Sequence, residues 1–230
     1  SEIFRAYGIT VFITVVGTAA SLFITPLLAY PLSRKDFKAR NIFSFLVFFT
    51  MLFNGGIVPS YIMWTRIFHL KNTITALILP GLLMNGFNVI LMKNYFAQNI
   101  PAELIEAAKM DGAGEFKIFF KMILPLSLPI MATVGLFVGI GYWNDWTNGL
   151  YYVTDAKLYS LQNLLNRILQ DVQFLNSSTM TNAGVAATTQ MPSVSIRMAI
   201  SVVGILPIMV LYPFFQKYFV KGIAVGAVKG

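Results

Sequence analysis

Side chains able to do bond-making chemistry are scarce in this sequence. None of its 230 residues is Cys, which excludes thiolate metal sites, disulfides and a Cys nucleophile, and the one His (His69) leaves little room for a His-based metal site or relay. The stretch 222–230 (GIAVGAVKG) lacks the G-x-x-x-x-G-K-[ST] spacing that holds a nucleotide phosphate. The segment with the most chemical content is 99–129, NIPAELIEAAKMDGAGEFKIFFKMILPLSLP. It opens as a helix. Pro101 suits the first turn, Glu103 and Glu106 favour the positive end, and the A-E-L-I-E-A-A-K run is strongly helix-forming. Asp111 and Gly112 stop it, Gly112 being suited to a left-handed C-terminal turn. A second amphipathic stretch, 115–123, leads to Pro125. This chemistry belongs to a short charged helix presented on a turn, not to a catalytic centre.

The elements that must carry that helix follow from composition. Hydrophobic residues make up 57% of the chain and charged residues 11%, against roughly 25% charged in an average soluble domain. No soluble fold of this size hides so much apolar surface, which makes the chain an integral membrane protein. Uncharged runs cover 7–33, 41–65, 72–92, 122–144 and 198–216, each long enough to cross a ~30 Å hydrocarbon core as a helix. The expected fold is all-α with five spans, at about 7–32, 42–64, 73–92, 123–143 and 198–216, in a single domain over 1–230. A sixth uncharged run, 172–196, is too polar for lipid and reads as part of an outer loop, 145–196. Continuous apolar runs do not suit a barrel, which needs alternation. Tyr61 and Trp64, and Tyr142, Trp143 and Trp146, close two runs as interfacial aromatics would. Breakers interrupt the spans: Pro26 and Pro31, Asn54-Gly55-Gly56 with Pro59, Gly81 with Asn85 and Gly86, and Pro207 with Pro213. They mark either a polar path or close helix packing. Gly135 and Gly139 form a G-x-x-x-G pair suited to packing.

The net charge of +8 reflects loop lysines and arginines, not nucleic-acid binding. Placing RKDFKAR (34–40) inside puts eleven Lys and Arg in the cytoplasm and six outside. The N-terminus is then outside and the C-terminus inside, and an odd span count suggests that one N-terminal span precedes this sequence. No Asp, Glu, Lys, Arg or His lies within any of the five runs. Ion-coupled carriers usually keep such a group at mid-membrane. A transporter built this way draws its energy from another subunit.

Glu106-Ala107-Ala108, three residues, Gly112, nine residues and Met122-Ile123-Leu124-Pro125 resemble the EAA loop of bacterial ATP-binding-cassette importer permeases. The family has Ile at the position of Met122. The ending QKYFVKGIAVGAVKG (216–230) resembles maltose-type carbohydrate permeases. FNGGIVPSY (53–61) and Trp143-Asn144-Asp145-Trp146 resemble the branch handling oligosaccharides and polysaccharide fragments. The likeness covers essentially the whole chain. It implies a type I importer permease fold with six spans, one more than this sequence shows. It also implies a bacterial cytoplasmic-membrane location and a cytoplasmic coupling loop at 99–125 seated in an ATPase cleft. Glu103, Glu106, Ala107, Ala108, Asp111 and Gly112 would be the coupling residues, with Lys221 and Lys229 of the tail reaching the same interface or snorkelling. The implied partners are a second homologous permease, two ATPase subunits that bind the ATP and Mg²⁺, and an extracellular solute-binding protein. This chain would itself hold no cofactor and catalyse no reaction.

A sugar path calls for amide donors and aromatic faces, because sugars present hydroxyls and apolar C–H patches. Asn54, Tyr61, Asn85, Asn88, Tyr142, Trp143, Asn144 and Asp145 are the candidates, each equally able to serve structure. In the outer loop, 160–171 puts Leu161, Leu164, Leu165, Ile168 and Leu169 on one helical face, to lie on the membrane, against other spans or under a docked receptor. Permeases for amino acids, peptides or polyamines share this architecture, and a stand-alone carrier is the rival from another class.

Overall fold

A helix of 32 residues, α1 (Glu2–Ser33), is the post around which the rest packs. The computed structural model describes residues 2–181 together with 198, 199, 202–205 and 209. All regular structure among them is helical. The fifth expected span (198–216) lies mostly outside the described residues, and Lys221, Lys229 and 182–196 lie wholly outside them.

α1 is long enough and apolar enough to cross a bilayer, and it stays helical through Pro26 and Pro31, which the sequence marks as breakers. Its end is closed by Ser33 Oγ donating to Tyr30 O (2.6 Å) and by Arg34 N donating to Pro31 O (3.2 Å). The second expected span is bent. α2 (Arg40–Leu52) gives way to α3 (Ile57–Ile62) and a π turn (Met63–Ile67) at 111°. Asn54 and two glycines build the corner: Asn54 Oδ1 accepts from Gly56 N (2.9 Å), and Gly56 holds φ 87°, a conformation other residues resist.

The third expected span is not one helix. α4 (Thr75–Ile78) stops at Pro80-Gly81, with Gly81 at φ 73°, and α5 (Gly86–Asn99) restarts behind Asn85. Asn85 Oδ1 caps α5 by accepting from Phe87 N (2.8 Å). Next come α6 (Ala102–Met110), α7 (Glu115–Ile118) with a π turn (Phe119–Ile123), and α8 (Leu124–Leu126). The fourth span starts later than expected, as α9 (Leu128–Asn144), after an elbow of 79°. Pro125 and Pro129 cannot donate backbone bonds there, and Ser127 Oγ donates to Ile123 O (2.6 Å). Among the described residues one helix passes as a crossing by length and composition, or up to three if each bent pair counts as one.

The α1–α9 contact explains the glycines. A Cβ on Gly135 would lie 3.1 Å from Leu22 Cδ1, and one on Gly139 would lie 3.6 Å from Thr18 Oγ1. α10 (Thr147–Tyr152), a 3₁₀ turn (Ala156–Leu158) and α11 (Leu161–Thr181) follow. The apolar face of α11 packs on α1, with Leu161 and Leu165 buried. Thr10 Oγ1 accepts from Leu161 N (2.8 Å), satisfying one of the free donors at the start of α11.

Candidate functional site

The helix with the chemically richest sequence, α6, is held by its inner face and offers its outer one. Ile105 is buried, and Ala108 packs beside it against the core. Residues three and four apart share a helix face, so Glu103, Glu106, Ala107 and Met110 form one exposed surface, with Asp111 exposed just beyond. Glu103 also sits in the first turn, where the helix dipole favours an anion. Met110, 89% exposed, is an apolar feature of this surface that sequence reading did not single out.

The C-terminus of α6 is a Schellman turn. Ala113 N donates to Ala108 O (2.9 Å), Gly112 N donates to Lys109 O (3.0 Å), and Gly112 holds φ 74°. Gly112 therefore does what its type predicts. A Cβ there would meet nothing within 4 Å, so its requirement is conformational, not steric.

Behind α6 lies a constellation that sequence reading missed. Arg34 grips Asp36 with two nitrogens: Nε donates to Oδ1 (2.9 Å) and Nη2 to Oδ2. Lys109 Nζ reaches Asp36 Oδ2 (3.3 Å) and Glu115 Oε1 (2.8 Å), and Arg34 Nη1 lies 3.5 Å from Glu115 Oε2. The four charges close a ring of alternating sign. Tyr30 sits under it, its hydroxyl accepting from Arg34 Nη1 (2.8 Å) and donating to Glu115 Oε2 (3.0 Å). Arg34 is 13% exposed and Asp36 58%, so the ring has one sheltered corner and a wet rim.

The Arg34 hydrogen bond holds the Asp36 carboxyl well below its usual range, and the Lys109 hydrogen bond lowers that of Glu115. Lys109 is raised by its bond to Glu115. A depressed carboxyl stabilises the fold above its unfolded pKa of about 4 and loses that contribution as pH falls through the folded value; a raised Lys contributes below about 10.4 and loses it as pH rises further. The ring therefore makes its full contribution from roughly pH 5 to 10, and its members stay charged in the folded chain somewhat beyond both ends. Exposed pairs contribute only about 0–1 kcal/mol each. Thermal unfolding in detergent is expected to show a small wild-type advantage over Asp36→Asn at pH 7 that starts to shrink below about pH 4 and keeps shrinking as pH falls further towards the depressed folded value. An advantage that grows on acidification would contradict the assignment.

The eight candidates for a solute path separate. Asn85 and Asn88 come together on a cavity of about 420 Å³ between α5 and α9, lined also by Gly81, Phe87, Phe137 and Gly141. Asn88 is 6% exposed and makes no side-chain hydrogen bond among the described residues. The rings of Phe87 and Phe137 add the aromatic faces, which sequence reading did not name. Tyr142 is fully buried and donates to Ile78 O (2.7 Å). Trp143 Nε1 donates to Gly204 O (3.0 Å). Both rings are buried within the protein, Trp143 against Leu161 and Leu165 of α11, and so are not the lipid-facing aromatics the sequence suggests. Asn144 Nδ2 returns to Ile140 O (3.0 Å), and Asp145 Oδ1 accepts from Thr147 N (3.1 Å) at the start of α10. Tyr61 stacks on Tyr152 with centroids 6.0 Å apart, and Asn54 builds the α2–α3 corner. Among the described residues no three His, Cys, Asp or Glu gather as metal ligands.

Residues 8–225 match the family described as "Binding-protein-dependent transport system inner membrane component". Protein LplC of Bacillus subtilis (strain 168) is 44% identical, over 98% of this chain and 74% of the relative. The polygalacturonan/rhamnogalacturonan transport system permease protein YtcP of the same organism is 42% identical, over 99% of this chain and 78% of the relative. A chain of the crystal structure of a bacterial ABC transporter involved in import of the acidic polysaccharide alginate superposes with a TM-score of 0.79. It is 35% identical, over 95% of this chain and 76% of that one.

Proposed function

This chain belongs to the binding-protein-dependent transport system inner membrane component family, and on that premise we propose that it is the permease of an ATP-driven importer for oligosaccharides or polysaccharide fragments. It is a transport subunit and not an enzyme. Its system includes an ATPase and a solute-binding protein. In the finer reading, a second homologous permease and two ATPase subunits complete the assembly, and the ATPases bind the ATP and Mg²⁺. The N-terminus of this chain lies outside and α6 and the C-terminus lie in the bacterial cytoplasm.

The observation that carries this reading is α6: a short helix anchored by Ile105 and its Schellman turn, presenting Glu103, Glu106 and Asp111 outward beside the small Ala107. A basic cleft in an ATPase complements that face, and Ala107 leaves room for close backbone approach. Closure of the ATPases pushes α6, and the spans rock between inward- and outward-open states. Copurification of ATPase subunits with the tagged chain from its native membrane tests the partner set.

Carbohydrate is favoured over amino acids, peptides or polyamines by the polysaccharide-transporting relatives and by the cavity chemistry. Asn85 and Asn88 offer amides, and Phe87 and Phe137 offer faces for C–H patches. Replacing Asn88 with Leu is expected to weaken oligosaccharide uptake by about three- to tenfold, the loss of one or two neutral hydrogen bonds. Concentration-dependent uptake in proteoliposomes reads this, and unchanged kinetics would return Asn88 to packing.

A further inference from the structure

We propose that Arg34, Asp36, Lys109 and Glu115 form a clamp that makes the cytoplasmic end of α1 and the coupling helix α6 move as one body. The proposal rests on the reading of α6 as the element an ATPase pushes, and it names the route by which the push reaches the spans.

Two routes lead out of α6. One is covalent, through α7, its π turn and α8 into α9. It passes the 79° elbow at Ser127, where Pro125 and Pro129 remove backbone donors. An elbow short of those backbone bonds is less stiff than a continuous helix and so carries a push poorly by itself. The other route is the ring. Lys109, in the last turn of α6, and Glu115, at the start of α7, are the two corners on the coupling side. Arg34 and Asp36, directly after α1, are the other two. α6 is not among the helices that pack closely on α1, so side chains make this connection.

The geometry suits a strut. Each cation touches both anions, so a shear that lengthens one pair is resisted by the others. Arg34 holds Asp36 bidentately, which fixes orientation as well as distance. Tyr30, 8% exposed and tilted against Phe119 at 5.4 Å, ties the ring to the core at the junction of α1 and the segment after α6. α1 in turn packs along α5 and α9, the helices that flank the cavity holding Asn85 and Asn88. A rigid α6–α1 unit therefore delivers motion at the coupling face to the walls of the path. The pairs are too exposed to matter much for folding. Their removal separates transmission from stability, and the test uses that separation.

The assembled importer is reconstituted in liposomes with ATP on the ATPase side and a labelled polygalacturonan digest as the solute probe. ATP hydrolysis and uptake are read on the same vesicles. Arg34→Ala and Lys109→Ala are expected to keep hydrolysis within about twofold of wild type while uptake falls about tenfold or more, with Arg34→Lys between them. Because the chain has no Cys, Asp36→Cys with Lys109→Cys introduces the only thiols in this subunit. A short reducible bifunctional thiol reagent is expected to restore uptake in that variant, and reductant to remove it again. Undiminished uptake in Arg34→Ala would overturn the clamp. So would hydrolysis and uptake falling together without recovery on cross-linking. Glu106→Arg in the same preparation distinguishes the two levels. Loss of uptake there but not in Arg34→Ala removes the clamp alone, whereas wild-type uptake in Glu106→Arg removes the coupling role of α6 and the clamp with it.

Discussion

A chain carrying Glu106→Arg is expected to insert and fold like wild type, to hold its ATPase partner poorly, and to lose uptake. The reasoning begins with what Glu106 does not do. It is exposed and has no ion-pair or hydrogen-bond partner among the described residues. Substitutions at such positions usually change stability by no more than about 0.5 kcal/mol. The helix tolerates Arg, a good helix former, at this site. At a docked interface the balance is different. An acid paired with a base becomes two like charges, and losing one partner of a desolvated pair costs about 2–5 kcal/mol. That is roughly thirtyfold to several thousandfold in association. Copurification with the ATPase and ATP-driven uptake are the two measurements. Normal uptake with normal association would place the coupling face elsewhere.

The second large effect concerns the α1–α9 seam. An ideal Cβ on Gly17 would sit 2.3 Å from Tyr142 Cζ and 2.5 Å from its Cε2. The Tyr142 ring has nowhere to go: it is fully buried, and its hydroxyl is held by Ile78 O. Gly17→Leu must separate the two helices or tear that hydrogen bond. Overpacking of this kind costs about 1–3 kcal/mol, a fall of roughly 2–12 °C in the unfolding midpoint for a chain of this size. Gly8→Leu is the control, since a Cβ on Gly8 would meet nothing within 4 Å. Thermal scans of the purified chains in one detergent compare them. Equal midpoints for the two variants would contradict the packing of α1 on α9.

Much of this molecule is legible in the sequence because its signals are local. The coupling helix needs Pro101 to start, an Ala-rich turn to propagate and Gly112 to stop, and all three lie within a dozen residues. The corner at Asn54-Gly55-Gly56 and the break at Gly81 announce themselves as breakers, but counting apolar residues reads across them. Hydropathy measures what a segment avoids, not whether its backbone turns, so 42–64 and 73–92 pass as spans while the chain bends within them. Pro26 and Pro31 mislead in the opposite direction: packing on α5 and α9 keeps α1 helical where local propensity predicts a break.

What sequence reading cannot reach is pairing across distance. Arg34 and Lys109 count there as two positive charges on one side of a membrane, yet they face the same two carboxylates. No spacing rule links residues so far apart in the chain. The same limit explains the solute-path candidates. An amide or aromatic type is needed for a path and for a tertiary hydrogen bond alike. Only the fold turns Asn85 and Asn88 toward a cavity while setting Tyr142 and Trp143 as buried posts.

The central claim is that this subunit has no energy source of its own and is driven through α6. Uptake in liposomes containing the purified chain alone, the assembled importer with ATP, or the assembled importer with a non-hydrolysable ATP analogue tests it most directly. Accumulation is expected from the second preparation only. Accumulation against a gradient by the chain alone would contradict the account.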